Sequence, residues 1–62
     1  MNRVIINVQL TEEAAEALAQ FVKRAGYSDC RNNAKSEEEA YLMLDGLIAL
    51  RNNLAEAGFA PR

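Results

Sequence analysis

The chain has 62 residues, of which nine are acidic, seven are basic and none is histidine, and its net charge is −2. A chain this short forms one small domain, and such a domain buries only about 60% of the surface that its unfolded chain exposes. With a single cysteine, Cys30, and no histidine, the sequence excludes an intramolecular disulfide and a Cys/His zinc cluster. It also contains neither a leader pattern nor the roughly 20 apolar residues of a membrane span, so we expect a cytoplasmic protein without membrane association.

Residues 3–10 alternate between two sets of side chains. One set is Val4, Ile6, Val8 and Leu10, and the other is Arg3, Ile5, Asn7 and Gln9. This period of two predicts a half-buried β-strand. Because a single strand leaves its backbone groups unpaired, we expect it to pair with a second copy in a homodimer or with another protein.

The next predicted element is an amphipathic helix over about residues 12–25. Thr11 is a suitable N-cap, and the first helical turn that follows it is acidic. The predicted apolar stripe consists of Ala14, Leu18, Phe21, Val22 and Ala25. Gly26 is then a candidate C-cap glycine, with Tyr27 spaced to pack on Val22.

A polar linker, residues 26–35, precedes a long helix over about residues 36–57. Ser36 and Glu39 have the spacing of a capping box. The core stripe is predicted to contain Ala40, Met43, Leu44, Leu47, Leu50 and Leu54. At the other end, Gly58 is expected to adopt the left-handed conformation of a Schellman cap, with Phe59 folding back onto Leu54.

These elements predict a single α+β domain over residues 1–62, with an N-terminal strand and two main amphipathic helices. A short extra helical turn within the linker is left open. The tail comprises residues 58–62, and its last three residues are expected to fray. The two helix ends carry similar triplets, Ala-Gly-Tyr and Ala-Gly-Phe, and we interpret both as the same capping device.

The residue inventory argues against an enzyme. Without histidine, a general base near neutral pH would have to be a shifted carboxylate or Cys30. The three consecutive glutamates at 37–39 diverge by about 100° per residue on a helix, which favours an acidic helix start over a metal site. Cys30 has Arg31 beside it, but a spectator thiol is the preferred interpretation. We therefore predict no enzymatic activity, no cofactor and no metal.

Carboxylates are instead the most frequent candidate binding groups. The candidate acidic surface consists of Glu12, Glu13, Glu16, Asp29, Glu37, Glu38 and Asp45. Such clusters attract a lysine- and arginine-lined groove and can imitate a phosphate backbone, although solvated helix starts explain the same charges. The candidate apolar contacts are Tyr41, Leu42 and Ile48, which lie outside the core stripe of the long helix. This pattern predicts a protein partner with a basic surface.

A DNA-binding regulator is the alternative. A strand carrying Arg3, Asn7 and Gln9, followed by two helices, is similar to ribbon-helix-helix repressors, whose paired strands read base edges in the major groove. Three features depart from that family. Ile5 lies among the candidate base readers, the link between the helices is long, and the acidic start of the second helix would repel a phosphate.

Three stretches carry a resemblance that covers nearly the whole chain: NVQLTEEAAEALAQFVKRAGYSDCR, EEAYLM and LAEAGFAPR. They resemble a family of very small proteins of phages and other bacterial mobile elements, most of unknown function. The chain is also similar to type I-C anti-CRISPR proteins, small acidic inhibitors that bind the Cas surveillance complex and block recognition of target DNA. This resemblance implies a bacterial cytoplasm, a Cas subunit as partner and DNA mimicry by the acidic surface, although no family motif assigns those residues.

Overall fold

The structure, a computed structural model, describes residues 2–59 as an all-helical protein. Its helices are α1 (Glu12–Arg24), α2 (Tyr27–Asn33) and α3 (Glu37–Glu56). No strand occurs within the described residues, so the predicted α+β class is wrong. The last three residues, predicted to fray, lie outside the described part of the chain.

The N-terminal segment, residues 2–10, has no regular secondary structure and is exposed along its whole length. Its alternating pattern predicted a half-buried strand, yet Val4 and Ile6 are 80% and 76% exposed. A strand exists only when a neighbouring strand supplies hydrogen-bond partners. The described chain holds no second segment of this kind, so the local β pattern has nothing to pair with.

Helix α1 begins as its sequence indicates, but only part of its predicted apolar stripe is buried. The Thr11 hydroxyl accepts a hydrogen bond from the Ala14 amide at 3.1 Å. The buried side chains of α1 are Ala15, Ala19 and Val22, whereas Phe21, placed in the predicted stripe, is 58% exposed. Small side chains, Ala15 and Ala19, thus occupy the face of α1 that packs against α3, and the larger Phe21 lies toward solvent.

Helix α2 occupies most of the predicted linker. Its N-cap is Gly26, whose φ of −129° is extended rather than left-handed, so the predicted cap glycine of α1 is wrong. The Asp29 carboxylate accepts a hydrogen bond from the Gly26 amide at 2.9 Å and thereby fixes the start of α2. Cys30 is the buried residue of this helix.

Both ends of α3 follow the sequence prediction. The Ser36 hydroxyl accepts a hydrogen bond from the Glu39 amide at 3.2 Å, while the Glu39 carboxylate accepts one from the Lys35 amide at 2.7 Å. The capping box therefore closes one residue earlier than its usual form.

The end of α3 is the predicted Schellman cap. Gly58 has a φ of +99°, and the Phe59 amide donates to the Leu54 carbonyl at 2.8 Å. The Gly58 amide donates to the Ala55 carbonyl at 3.0 Å, which is the second bond of the motif.

The core lies between α1 and the second half of α3. Its buried residues are Ala15, Ala19, Val22 and Leu54, and partly buried Leu18, Leu47, Leu50 and Phe59 pack against them. Ala15, near the start of α1, lines one cleft with Leu54, near the end of α3. Ala25, just after α1, lines another with Met43, in the first half of α3, so α1 runs antiparallel to α3. Helix α2 packs on the first half of α3, where Ala40 is completely buried. Of the helices described, none has both the length and the apolar character needed to cross a membrane.

Candidate functional site

The acidic candidates are exposed but do not form one surface. Those on α1, Glu12, Glu13 and Glu16, occupy its first turns, and those at positions 37 and 38 occupy the first turn of α3. Since the two helices are antiparallel, the clusters lie at opposite ends of the molecule. The α1 cluster sits near Leu54, and a rise of 1.5 Å per residue places it about 25 Å from the α3 cluster. A single partner groove therefore contacts both clusters only if it spans most of the molecule.

Asp29, the acidic candidate of α2, has a structural task. It is exposed, but one of its carboxylate oxygens accepts the Gly26 amide that begins α2. The Asp29 carbonyl also accepts a hydrogen bond from the side-chain amide of Asn33 at 2.8 Å. The bond to the Gly26 amide alone accounts for an aspartate at this position without a partner, because the second bond uses the backbone carbonyl.

The structure does bring together five candidates on the solvent side of α3, which we call the outer face. They recur at helical spacing opposite the core stripe. The outer face comprises Glu38, Tyr41, Leu42, Asp45 and Ile48. Its three large apolar side chains are about half exposed, at 53% for Tyr41, 54% for Leu42 and 49% for Ile48. Two carboxylates thus lie among exposed apolar groups on a rigid helix.

One edge of the outer face is fixed by an aromatic contact with α2. The rings of Tyr27 and Tyr41 are 5.0 Å apart between centroids and tilted by 39°. Desolvation raises the pKa of Tyr27, and the nearby charges of Glu37 and Tyr41 raise it further, while the Arg31 guanidinium lowers it. The pair therefore holds Tyr41 in place and puts a protonated phenol beside a carboxylate.

The candidate DNA-reading residues Arg3, Asn7 and Gln9 lie on the exposed N-terminal segment. A ribbon-helix-helix reader needs this segment as one strand of a two-stranded ribbon. In the described chain it is an unpaired extension, and Ile5, between Arg3 and Asn7, is 92% exposed. The isolated chain therefore does not present these three side chains on a formed ribbon.

The sequence reasoning missed an open apolar groove on one flank of α3. One part is a cleft of about 640 Å³ between the N-terminal segment and the helices, where Leu54 and Phe59 form part of the wall. The other part, about 360 Å³, lies between Phe21 and Gly46, and Leu50 lines both parts. Gly46, a glycine inside a long helix, lines the second part, and a Cβ there would meet nothing within 4 Å, so contact with α1 does not require this glycine.

Groups suited to metal or covalent chemistry are sparse in the described structure. Among residues 2–59, no cluster of three or more His, Cys, Asp or Glu side chains has the geometry of a metal site. Cys30 is a free thiol that is buried against α3, with only 5% of its surface exposed. Such burial limits the access of solutes to its sulfur.

Comparison with known proteins assigns a family. A family model described as a family of unknown function, DUF7706, matches residues 1–62. The chain belongs to this family. No curated protein and no solved structure matches it. Membership in DUF7706 thus covers the whole sequence but brings no activity, ligand or site residue with it.

Within this DUF7706 protein, the structure distinguishes two surfaces of different chemistry. The outer face of α3 mixes carboxylates with apolar side chains. The groove and the N-terminal segment carry apolar side chains together with uncharged polar ones such as Asn7 and Asn53, and Arg3 is the one charged residue of residues 2–10. A surface with carboxylates suits a basic partner, whereas a surface with few charges suits a partner that also buries few charges.

Proposed function

We propose that this protein is a non-catalytic inhibitor that binds a basic surface of a nucleic-acid-handling protein complex through the outer face of α3. The observation that carries the proposal is the juxtaposition of Glu38 and Asp45 with exposed Tyr41, Leu42 and Ile48. Protein interfaces combine apolar anchors with a charged rim that steers the partner and sets the register.

Charge gives the proposed partner its chemistry. The outer face carries Glu38 and Asp45, and no lysine or arginine lies between them along α3. A surface that binds nucleic acid is rich in lysine and arginine, so it complements these carboxylates. A half-exposed Tyr41, already held by Tyr27, provides an aromatic anchor at low entropic cost.

The specific target that we propose is the type I-C CRISPR surveillance complex, which the resemblance of the sequence to type I-C anti-CRISPR proteins suggests. In this mechanism the protein occupies the path of target DNA on the complex and so prevents recognition. The outer face, rather than both acidic clusters together, is the proposed contact, because the α1 cluster lies about 25 Å from the start of α3.

The test combines a phage challenge of cells that carry a type I-C interference system with a pull-down of Cas subunits. The wild-type protein is expected to restore plaquing and to co-purify with Cas subunits. The variant Glu38→Gln/Asp45→Asn should lose both effects. The matched control, Glu12→Gln/Glu13→Gln, removes two exposed carboxylates from the other end of the molecule and should retain both.

Three other results would contradict the target, the contact surface or the function that we propose. If the wild-type chain neither restores plaquing nor captures Cas subunits, the proposed target is wrong. If inhibition is lost only in the Glu12→Gln/Glu13→Gln variant, the proposed inhibitory function is supported but the proposed contact surface is wrong. Salt-dependent retention on DNA without any effect on interference would favour a DNA-binding regulator instead. Far-ultraviolet circular dichroism checks that each variant is folded.

A further inference from the structure

The molecule exposes more surface than a compact monomer of its mass. Its accessible area is 5330 Å², whereas the scaling relation for folded monomers gives about 4,000 Å² at 6.9 kDa. Its radius of gyration is 12.3 Å, compared with about 10.6 Å for a compact domain of 62 residues. The excess of roughly 1,300 Å² exceeds the roughly 800 Å² that each partner contributes to a standard protein interface.

Large apolar side chains of the N-terminal segment are part of this exposed surface, since Val4, Ile5 and Ile6 are at least three-quarters exposed. The same segment forms one wall of the cleft whose other side contains Leu50, Leu54 and Phe59. Several exposed large apolar side chains on one short segment of a small protein indicate an interaction site.

The backbone N–H and C=O groups of the N-terminal segment also lack partners in the described helices. Within the described residues, no backbone hydrogen bond joins residues 2–10 to a helix. If a partner covers this segment, the covering group must supply donors and acceptors along an extended chain. An identical segment running antiparallel offers both at matching positions, because a two-fold axis makes the contact self-complementary.

Charge also favours a second copy as the occupant. Residues 2–10 carry one positive charge, Arg3, and no acidic residue, so the rest of the chain has a net charge of −3. Where the segment of one copy also lies against the helical body of the other, Arg3 approaches a surface of opposite net charge while apolar residues are buried.

We infer that two copies of this chain associate about a two-fold axis, with their N-terminal segments antiparallel and together covering the groove around Leu50. The three helices of each chain stay as they are, and the segments pair only with each other across the interface. This inference does not depend on the proposed inhibitory function, because no residue of the outer face of α3 lines the groove, and the outer face stays available to another protein.

The test is sedimentation equilibrium of the full-length chain over a wide concentration range. The wild-type protein should dimerise reversibly. Ile6→Asp should weaken the dimer at least about 100-fold, because each dimer would bury two carboxylates in place of two isoleucine side chains. Ile6 is 76% exposed in the single chain, so its substitution is not expected to prevent folding.

The matched control is Leu42→Asp, which introduces the same charge at an exposed apolar position on the outer face of α3. It should leave the dimer intact. A wild-type protein that stays monomeric at its highest soluble concentration would overturn the inference. Dimer loss in Leu42→Asp but not in Ile6→Asp would also overturn it, since the interface would then be the outer face.

Amide hydrogen exchange provides a second readout at the segment itself. In the dimer, alternate amides within residues 3–9 should exchange more slowly as protein concentration rises, because every second N–H of a two-stranded pair donates to the partner segment. Fast exchange of these amides in a sample shown to be dimeric would place the interface elsewhere. The same measurement separates the two proposals, because loss of Cas binding has no effect on protection of this segment.

Discussion

The chain contains the triplet Ala-Gly-aromatic twice, and the two copies fold differently. At residues 25–27 the glycine has an extended φ of −129° and begins the next helix. At residues 57–59 it has a left-handed φ of +99° and ends the last helix. Both triplets directly follow an amphipathic helix, so the preceding sequence does not determine the outcome.

The difference comes from the residue three positions after each glycine. For Gly26 this residue is Asp29, whose carboxylate accepts the glycine amide at 2.9 Å. For Gly58 it is Pro61, which offers no carboxylate, and the glycine amide donates back to Ala55. A Schellman cap uses that same glycine amide, so a downstream side chain that accepts it removes one bond of the motif. The function of a cap glycine is therefore decided by the residues after it.

The aromatic residue of the second triplet should contribute the largest stability effect. Phe59 packs against the core cluster that includes Leu54. Phe59→Ala should lower the free energy of unfolding by about 2 kcal/mol, less than for a fully buried phenylalanine because Phe59 is partly exposed. Urea denaturation followed by circular dichroism measures this change. Tyr27→Ala, which removes only a ring contact with Tyr41, should cost less, and the reverse order would contradict the placement of the core.

The second glycine should tolerate substitution poorly. Gly58→Ala places a Cβ on a residue with φ of +99°, where L-amino acids are disfavoured by about 1–2 kcal/mol. We expect a loss of about 1 kcal/mol in the free energy of unfolding, seen as a lower urea midpoint with an unchanged slope. Unchanged stability would mean that the left-handed cap does not form in solution.

Substitution of the first glycine should have a smaller effect. A Cβ at Gly26 would meet nothing within 4 Å, and its backbone conformation suits any residue. Gly26→Ala should therefore change the free energy of unfolding by less than about 0.5 kcal/mol, because the restriction of the unfolded chain is offset by the poorer N-cap preference of alanine. Gly58→Ala serves as the matched comparison. Equal losses in both variants would show that the two triplets share one conformation after all.

The parts of the fold that the sequence predicts are those decided by neighbouring residues. Ser36 with Glu39 defines the start of α3, and Gly58 with Phe59 defines its end, because each bond spans only a few positions. The prediction of a strand failed for the opposite reason. The alternating pattern of residues 3–10 is local, but a strand forms only with a partner that the described chain does not provide.

The candidate site also has one part that local sequence predicts and one part that it does not. The exposure of Tyr41, Leu42 and Ile48 follows from the spacing of α3 alone. The groove could not be derived, because it depends on which face of α1 meets α3. The sequence suggested a stripe that includes Phe21, but the contact through Ala15 and Ala19 leaves Phe21 at the groove.

The final prediction distinguishes the aromatic residues of the two triplets by the pH dependence of protein stability. Desolvation, followed by the charges of Glu37 and Tyr41, raises the pKa of Tyr27 in the folded protein. Below the ordinary tyrosine pKa of about 10, both the folded and the unfolded state hold this proton. Above it, the unfolded state releases the proton more readily, so the free energy of unfolding should fall as pH rises through this range. Phe59, the aromatic residue of the other triplet, has no such proton.

Tyr27→Phe should therefore remove part of the alkaline loss of stability, measured as the difference between urea midpoints near neutral pH and above about pH 10. Glu37→Gln should act in the same direction but less strongly, because it removes only the second cause of the raised pKa. Ultraviolet absorbance of the phenolate follows the titration directly. An alkaline loss of stability that is unchanged in Tyr27→Phe would mean that the titration of Tyr27 is not its cause.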